Sequence, residues 1–554
     1  MKTKIIVLVF LITNTLLKAQ PTCNWAYIPV GAGFTQNAIY YATSDLQNNI
    51  IEVGKLLGVA DMNPSPLAGD TSFSYPSYNY YISKTDLSGQ LLWIHYFQLN
   101  SQFGLFEFKG LKVNSTNDII VLGNFWGMVD FDLSANGIDT LRSHTPTYPD
   151  FFVAKYDANG NYQWANNLGD AVSAHISSQA LAIDNQDNIL VSANPNGAND
   201  IDPNDSIIHN TIGGNANIIC YDSNGNYLWN NHISTLYSYG ISNQSLDVDA
   251  NGNAYLLSVG YYELTVNMFS NTGVFLWAKK LGDFASGGRV TPQSLIIDSA
   301  TGNFTIAGTF DGTVDFDPNT GVNNHTATNF NYEDGFIAQY DSTMQLIWAN
   351  TYEANVSFGN AGLNLINNEI IAVGNIMGTI DFGNSVTLTA IGGGANPFYV
   401  RLNNTGTAQE GFVLDNYGLF NTINYLNNNM LYCTGYITGN TDMDPTSLTV
   451  NLTATATNYF TAVYQNNSVT LNKNLVQENA IIVYPNPSQA YVNIEMPEEL
   501  ISTKYDIINC LGSVVLSNNI KQKKEVIEIS NLPNGVYFIK FQSGKIAARK
   551  IVKQ

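Results

Sequence analysis

The sequence predicts an all-β protein: an array of four-stranded antiparallel units followed by a small β-sandwich. Three observations support this prediction. Alternating apolar runs separated by Asn-Gly turns recur along the chain, as in FFVAKYDANGNYQW at 151–164. No helical periodicity separates these runs, so the period-two alternation decides the class. A Trp recurs in the second strand of such hairpins, at Trp25, Trp93, Trp164, Trp229, Trp277 and Trp348.

Each unit consists of two hairpins. The Trp-containing hairpin follows another one, with clear copies at 178–193, 244–259 and 293–308, and the four-strand unit occurs seven times. Trp229 and Trp277 are only 48 residues apart, whereas the other copies carry roughly 20 further residues between their second and third strands. Four short strands per unit of this length are typical of a propeller blade. Residues 20–470 are therefore predicted to form a seven-bladed β-propeller with four strands per blade.

The first Trp lies in CNWAYIPVG, a strand with no partner strands before it. Residues 22–31 are therefore expected to supply the fourth strand of the last blade by pairing with the strand at 459–464. The alternative fourth strand is VTLNKNL at 469–475, which lacks a Trp.

The spacing of Asp157, Gly160 and Trp164 resembles the tryptophan-docking motif of quinoprotein propellers. The segment VDFDP at 314–318 is similar to propeller-like repeats of secreted bacterial proteins. The resemblance implies that the Trp rings are structural and lock neighbouring blades. It indicates a fold and leaves the function open.

The charge distribution divides the chain into three parts. The formal net charge is −21, and residues 20–477 alone carry 37 acidic against 11 basic groups. Such an acidic surface repels nucleic acid, while cations and neutral ligands remain possible partners. Residues 1–19 hold Lys2 and Lys4 before a short apolar run, which predicts a signal peptide cleaved between Ala19 and Gln20. No later segment resembles a transmembrane span.

The tail has a different composition. A linker is expected at 471–480, followed by an Ig-like β-sandwich at 481–554. VYPNPS at 483–488, NLPNGVYFIKF at 531–541 and KIVK at 550–553 closely resemble the type A C-terminal sorting domain of type IX secretion cargo. The resemblance implies export via the periplasm to the outer cell surface or medium, with the type IX machinery as partner. The residues that match the sorting motif are Pro485, Asn486, Pro487, Asn534, Gly535 and Lys550.

The insertions between second and third strands are rich in Asp. Two carboxylates on alternate strand residues share a face and could bind one Ca²⁺ ion. An Asp that begins a turn and caps its own backbone is the favoured explanation, because the six to eight oxygen ligands of a calcium site are not visible in the sequence. Calcium remains a possible cofactor, and no other cofactor is indicated. The candidate metal ligands are Asp130, Asp132, Asp200, Asp202, Asp205, Asp315, Asp317, Asp442 and Asp444.

The same insertions carry the aromatic residues Tyr75, Tyr78, Tyr148 and Tyr332. Aromatic rings beside Asp and Asn suit sugar binding, and packing against the blades is the alternative. The chain has no GxSxG, HExxH, CxxCH, P-loop or Rossmann motif, and no catalytic residue is assigned. The favoured interpretation is a non-enzymatic binding or adhesion module with a glycan or surface-protein ligand. The alternative is an extracellular enzyme, either a hydrolase or lyase, or a quinoprotein-like oxidoreductase.

Overall fold

The computed structural model describes twenty stretches of the chain. They are residues 21–31, 38–62, 72–99, 106–134, 137–144, 149–168, 176–195, 200–203, 216–233, 242–260, 263–282, 287–328, 333–426, 430–446, 448–465, 482–495, 504–509, 514–519, 521–541 and 549–554. These residues form strands and contain no helix, which confirms the prediction of an all-β protein. The chain divides into two compact regions, residues 1–468 and residues 469–554.

The strands of the first region are mostly five to nine residues long, as expected for half-buried alternating runs. In chain order they are β1 Thr22–Tyr27, β2 Val30–Gly31, β3 Ala38–Ser44, β4 Ile50–Asp61, β5 Ser72–Thr85, β6 Leu91–Leu99, β7 Phe106–Val113, β8 Ile119–Phe125, β9 Met128–Asp130, β10 Thr140–Arg142, β11 Asp150–Tyr156, β12 Tyr162–Leu168, β13 Ile176–Ile183, β14 Ile189–Pro195, β15 Asn217–Tyr221, β16 Tyr227–His232, β17 Ser242–Val248, β18 Ala254–Gly260, β19 Glu263–Phe269, β20 Phe275–Leu281, β21 Arg289–Ile297, β22 Phe304–Asp311, β23 Thr313–Asp315, β24 Asn324–Thr326, β25 Asp334–Tyr340, β26 Leu346–Ile366, β27 Glu369–Ile376, β28 Thr379–Asp381, β29 Thr387–Thr389, β30 Asn396–Leu402, β31 Ala408–Val413, β32 Gly418–Leu426, β33 Met430–Asp442 and β34 Asn451–Gln465.

Most of these strands belong to antiparallel runs of four, here called modules. In order they are module 1 (β3-β4-β5-β6), module 2 (β7-β8-β11-β12), module 3 (β13-β14-β15-β16), module 4 (β17-β18-β19-β20), module 5 (β21-β22-β25-β26), module 6 (β26-β27-β30-β31) and module 7 (β32-β33-β34-β1). The long strand β26 serves two modules, since its first part pairs with β25 and its last part with β27. A parallel pairing of Ala361 with Thr422 in β32 then joins modules 5, 6 and 7 into one eleven-stranded sheet.

The fourth strand of module 7 comes from the other end of the region. β1 pairs antiparallel with β34, and Trp25 lies opposite Val463. This confirms the prediction that the first Trp strand pairs with residues 459–464. The alternative strand at 469–475 lies outside the described residues.

The first strands of the modules lie side by side. Each first strand contacts that of the following module, and β32 of module 7 contacts β3 of module 1. Every first strand also has a register irregularity against its second strand, such as the shift between Phe108 and Gly110 in β7. Such bulges redirect a side chain and are frequent beside functional sites.

The insertions between second and third strands form short separate hairpins in modules 2, 5 and 6. These hairpins are β9–β10, β23–β24 and β28–β29. In module 4 only two residues separate the second and third strands, and Gly260 pairs with Glu263. The unit with the shortest Trp spacing therefore lacks the insertion, as the sequence predicts.

Apolar and aromatic side chains fill the spaces within and between modules. Within module 2, the Phe106 ring stacks on Phe152 with ring centroids 5.0 Å apart, and Phe97 of module 1 lies 5.0 Å from Phe106. Aromatic pairs at such distances add to the stabilisation from apolar burial. The cluster connects strands of both modules into one core.

The second region is a pair of small antiparallel sheets. One sheet has the order β35-β36-β39 and the other β38-β37-β40-β41, with Val492, Ile507, Ile539 and Ile551 in the core. This is consistent with the small sandwich expected at 481–554. The strands are β35 Ile482–Tyr484, β36 Tyr491–Glu495, β37 Lys504–Asn509, β38 Val514–Asn519, β39 Lys524–Glu528, β40 Gly535–Phe541 and β41 Arg549–Lys553.

Candidate functional site

The seven first strands enclose a cavity of about 470 Å³, here called the first-strand cavity. Residues of β3, β7, β13, β17, β21, β26 and β32 all line it, so every module contributes. The volume lies within the range of roughly 300–1,000 Å³ that is usual for small-molecule sites.

The bulges determine which side chains line the cavity. In β17, for example, the register shifts between Asn243 and Ser245, after which Ser245, Leu246 and Asp247 contribute to the lining. Successive residues of a strand point to opposite faces, and Leu246 is buried. A local signal for these positions exists in the sequence as a Gln-small-Leu tripeptide at 179–181, 244–246 and 293–295. This tripeptide alone does not predict a site, because it does not reveal which strand is innermost.

Amide side chains tie neighbouring first strands together along the cavity. Gln293 of β21 accepts a hydrogen bond from the backbone N–H of Phe358 at 2.9 Å and donates one to Ser357 Oγ at 3.0 Å. Asn364 of β26 donates to Asn424 Oδ1 of β32 at 3.0 Å. These bonds fix the cavity wall from module 5 to module 7.

Three charged residues line the cavity in the described part of the chain: Lys109, Lys112 and Asp247. Lys109 Nζ lies 3.3 Å from Glu107, in a pair with both side chains partly exposed. Asp247 accepts backbone hydrogen bonds from Val248 at 3.0 Å and from Ile297 at 3.1 Å. Its carboxylate therefore links module 4 to module 5.

Burial alters the acidity of groups on the wall. It raises the pKa of Asp247, and the positive charge of Lys112 and two backbone hydrogen bonds offset only part of this effect. Burial, followed by the charge of Glu107, raises the pKa of the Tyr41 phenol to about 12. Tyr41 therefore stays neutral at physiological pH and can both donate and accept hydrogen bonds.

The Asp pairs in the insertions share a different geometry. Asp130 Oδ1 accepts backbone hydrogen bonds from Asp132 at 3.2 Å and from Asp139 at 2.9 Å. The carboxylate thus closes a capped turn, which is the alternative to calcium that the sequence leaves open. The same pattern joins Asp315 to Asp317 and Asn323, Asp442 to Asp444 and Val450, and Asp200 to Asp202.

The described residues include no group of three or more His, Cys, Asp or Glu side chains arranged to hold a metal ion. Asp205 lies outside the described residues. Calcium binding by the insertions therefore stays a prediction.

The tyrosines proposed as ligand contacts are only partly covered. Tyr75 and Tyr78 lie in β5, whereas Tyr148 and Tyr332 are outside the described residues. The cleavage site between Ala19 and Gln20 is outside as well. These predictions remain open.

The recurring Trp residues contact the turn of the next module. Trp229 of module 3 donates from Nε1 to the carbonyl of Asn271 in module 4 at 3.2 Å. Two residues on, Asn231 donates to the carbonyl of Gly273 in the same turn at 2.8 Å. This agrees with the structural role that the docking resemblance implies.

In the second region, two distant segments of the sorting motif come together. Asn486 donates to the carbonyl of Lys550 at 2.6 Å and accepts from the N–H of Val552 at 2.8 Å. Ser488 exchanges backbone hydrogen bonds with the same strand, to Val552 and Gln554. Pro485 and Pro487 flank Asn486, and Asn534 and Gly535 lead into β40, which pairs with β41.

Residues 482–554 match a family model described as a secretion system C-terminal sorting domain. This domain marks the chain as type IX secretion cargo, implies engagement with the type IX machinery, and indicates export to the cell surface or extracellular space. The predicted localisation is thereby confirmed. Among the described residues, no helix is long and apolar enough to cross a membrane.

A comparison with curated proteins found no match. Among solved structures, a protein of unknown function from Bacteroides caccae is 11% identical with a TM-score of 0.31, covering 60% of this chain and 94% of that chain. One of unknown function from Dyadobacter fermentans is 10% identical with a TM-score of 0.35, covering 80% and 99%. The NanB sialidase from Streptococcus pneumoniae is 11% identical with a TM-score of 0.32, covering 78% and 70%.

Proposed function

We propose that this exported protein carries a seven-bladed β-propeller that acts as a non-enzymatic binding module for a glycan. The ligand binds in the first-strand cavity, with the modules as blades and the cavity on their common axis. Loops and strand ends on a rigid scaffold are the usual positions of binding groups.

The arrangement of the modules supports the propeller. First strands contact in the order of the modules, and the contact between β32 and β3 connects the last module to the first. The pairing of β1 with β34 joins the two ends of the region in one module. A radial arrangement of this kind leaves only short sheet edges exposed.

The observation that carries the binding function is the first-strand cavity itself. It has the volume of a small-molecule site, and its wall combines hydroxyl, amide and charged side chains. A core serving only stability would be filled with apolar side chains at crystal-like density. Sugar hydroxyls pair well with the hydroxyl donors and acceptors present on Thr43 and Ser245.

The test is a glycan-binding measurement on the exported protein, by array screening and then calorimetry. Ser245→Phe and Thr43→Phe narrow the cavity and should abolish binding. Val322→Phe is the matched control, because Val322 is 75% exposed in the β23–β24 insertion. Loss of binding only in Val322→Phe would place the ligand on the insertions and refute the cavity assignment.

One observation favours the alternative, an extracellular hydrolase or lyase. Burial raises the pKa of Asp247, and a carboxyl group with a raised pKa in a cavity is a candidate general acid. Incubation of the protein with bound glycans, followed by mass spectrometry, tests this. Cleavage that disappears in Asp247→Asn would establish the enzyme and replace the binding proposal.

A further inference from the structure

We infer that the first-strand cavity is selective for acidic saccharides, whose carboxylate is bound by Lys112 together with Lys109. This inference rests on the proposed glycan-binding function and specifies its ligand class. The aromatic and acidic residues of the sequence favour a ligand on the insertions, and neither lysine is among them.

The charge of the wall is the first argument. Residues 20–477 carry 37 acidic and only 11 basic groups, yet two of those basic groups line this one cavity. The described lining includes a single carboxylate, Asp247. Glu107 balances the charge of Lys109, so the case for an anion on this wall depends mainly on Lys112, which has no ion pair among the described residues.

The carboxylate on the wall is already engaged. Asp247 accepts one backbone hydrogen bond at each oxygen, from Val248 and Ile297. In the described part of the chain, no carboxylate lies within the 4.0 Å ion-pair distance of Lys112. Lys112 is exposed to the cavity, and its ammonium group can reach an incoming anion.

Lys109 is available as a second contact. Its pair with Glu107 has side chains 30% and 50% exposed, and exposed pairs of this kind are weak. Exchange of Glu107 for a ligand carboxylate therefore costs little. Charge-assisted hydrogen bonds from two ammonium groups are about twice as strong as neutral ones.

The uncharged residues of the wall can contact the hydroxyl groups and the ring of a saccharide. Thr43 and Ser245 offer hydroxyl groups, and the ring of Tyr41 offers an apolar face with a neutral hydroxyl. A few polar groups of this type fix the orientation of a ligand in a pocket. The volume of about 470 Å³ has room for one or two sugar residues.

Isothermal titration calorimetry on the full exported chain with digalacturonate and with neutral galactobiose tests the inference. The acidic disaccharide should bind at least about tenfold more tightly, because a charge-assisted contact replaces a neutral one. Lys112→Gln should remove most of this preference and Lys109→Gln part of it. Lys280→Gln, on the exposed strand β20, is the control and should keep it.

Raising the salt concentration should weaken digalacturonate binding and leave galactobiose binding nearly unchanged. Equal affinity for the two disaccharides, with no effect of Lys112→Gln, would overturn the inference and leave the glycan-binding function standing. Digalacturonate binding that survives Lys109→Gln/Lys112→Gln would overturn it as well, since the anion would bind elsewhere. If neither these nor any arrayed glycan binds, the proposed function fails too.

Discussion

The contact of one module's fourth strand with the next module is here called a seam. The seam between modules 3 and 4 differs from the seam between modules 6 and 7. At the first, Trp229 of β16 donates a hydrogen bond to the turn that joins β19 and β20. At the second, β31 carries Glu410 in the same position. Glu410 is buried and lies 2.8 Å from Arg401 Nε on the neighbouring strand β30, so it pairs within its own module.

The difference follows from the origin of the strands. Module 7 takes its fourth strand from β1, at the other end of the region, so no turn joins its third and fourth strands. A Trp at position 410 would therefore have no turn to dock on. Trp25 of β1 does have one, and it donates to the carbonyl of Leu87 in module 1 at 2.8 Å. A Trp is therefore found where the next module has a turn between its third and fourth strands, and Glu410 stands where that turn is missing.

The largest expected effect is at the seam without a Trp. The side chains of Arg401 and Glu410 are 4% and 5% exposed, and Glu410→Ala leaves the guanidinium with Glu369, 2.6 Å away, as its ionic partner among the described residues. Removing one member of a buried pair should lower the free energy of unfolding by about 3–5 kcal/mol, with the retained Glu369 favouring the lower end. Urea denaturation of the two proteins measures the difference.

Two controls sharpen this prediction. The double variant Arg401→Met/Glu410→Leu should recover most of the loss, because it removes both charges and keeps apolar volume. Glu410→Trp should be no more stable than Glu410→Ala, since no turn receives the ring. A stabilising Glu410→Trp substitution would contradict the explanation of the missing Trp.

The Trp229 seam should be the next most sensitive. Trp229 is only half-buried, so Trp229→Ala should cost about 3 kcal/mol, at the lower end of the range for buried Trp truncations. A matched pair isolates its hydrogen bond: Nε1 of Trp164 has no partner among the described residues, whereas Nε1 of Trp229 does. Trp229→Phe should therefore cost about 1 kcal/mol more than Trp164→Phe, by thermal or urea unfolding. Equal losses would show that only ring packing matters.

The turn that contacts the Trp229 ring requires a glycine at position 273, and replacing this glycine should have a smaller effect on stability. Gly273 has φ of 79°, and a Cβ atom there would lie 2.4 Å from Trp229 Cε3. Gly273→Ala should cost about 2 kcal/mol, from backbone strain and from displacement of the ring. Gly287 has φ of 84° with nothing within 4 Å of its Cβ position, so Gly287→Ala reports the backbone strain alone. A similar loss in both variants would mean that the ring moves aside freely.

Some features of the fold can be predicted from the sequence, whereas the cavity cannot. The hairpins, the Trp position and the partner of the Trp25 strand follow from alternation and spacing along the chain. The first-strand cavity does not, because Lys112 and Asp247 are 135 residues apart and meet only through the order of the modules. The Asp residues of the insertions suggest a cation site in the sequence, and in the structure their carboxylates cap turns. Acidic composition alone does not distinguish a capped turn from an ion site.

The smallest expected effects are on the pH dependence of the stability of the fold. An Asp at a turn and the Asp in the cavity should change the stability in opposite directions as the pH rises. At the turn of module 2, burial acts to raise the pKa of Asp157, but hydrogen bonds from the side chain and backbone of Asn161 and from Asn159 outweigh it and lower the pKa. The stability contributed by Asp157 is therefore present above its unfolded pKa of about 4 and is lost as the pH falls through the lower folded value. Asp247 has a raised pKa, so its contribution is present below about pH 4 and is lost as the pH rises through the folded value.

Replacing each Asp by Asn distinguishes the two directions of pH dependence. Asn403 occupies the Asp157 position in module 6 and accepts the same backbone hydrogen bonds, from Thr405 at 3.0 Å and Thr407 at 2.9 Å. Asp157→Asn should therefore keep the turn while reducing the loss of stability between pH 7 and pH 3. Asp247→Asn should instead reduce the loss that occurs as the pH rises above about 4. Urea midpoints across this pH range measure both, and parallel pH profiles for the two variants would contradict the assignment, because a lowered and a raised folded pKa cannot give the same slope.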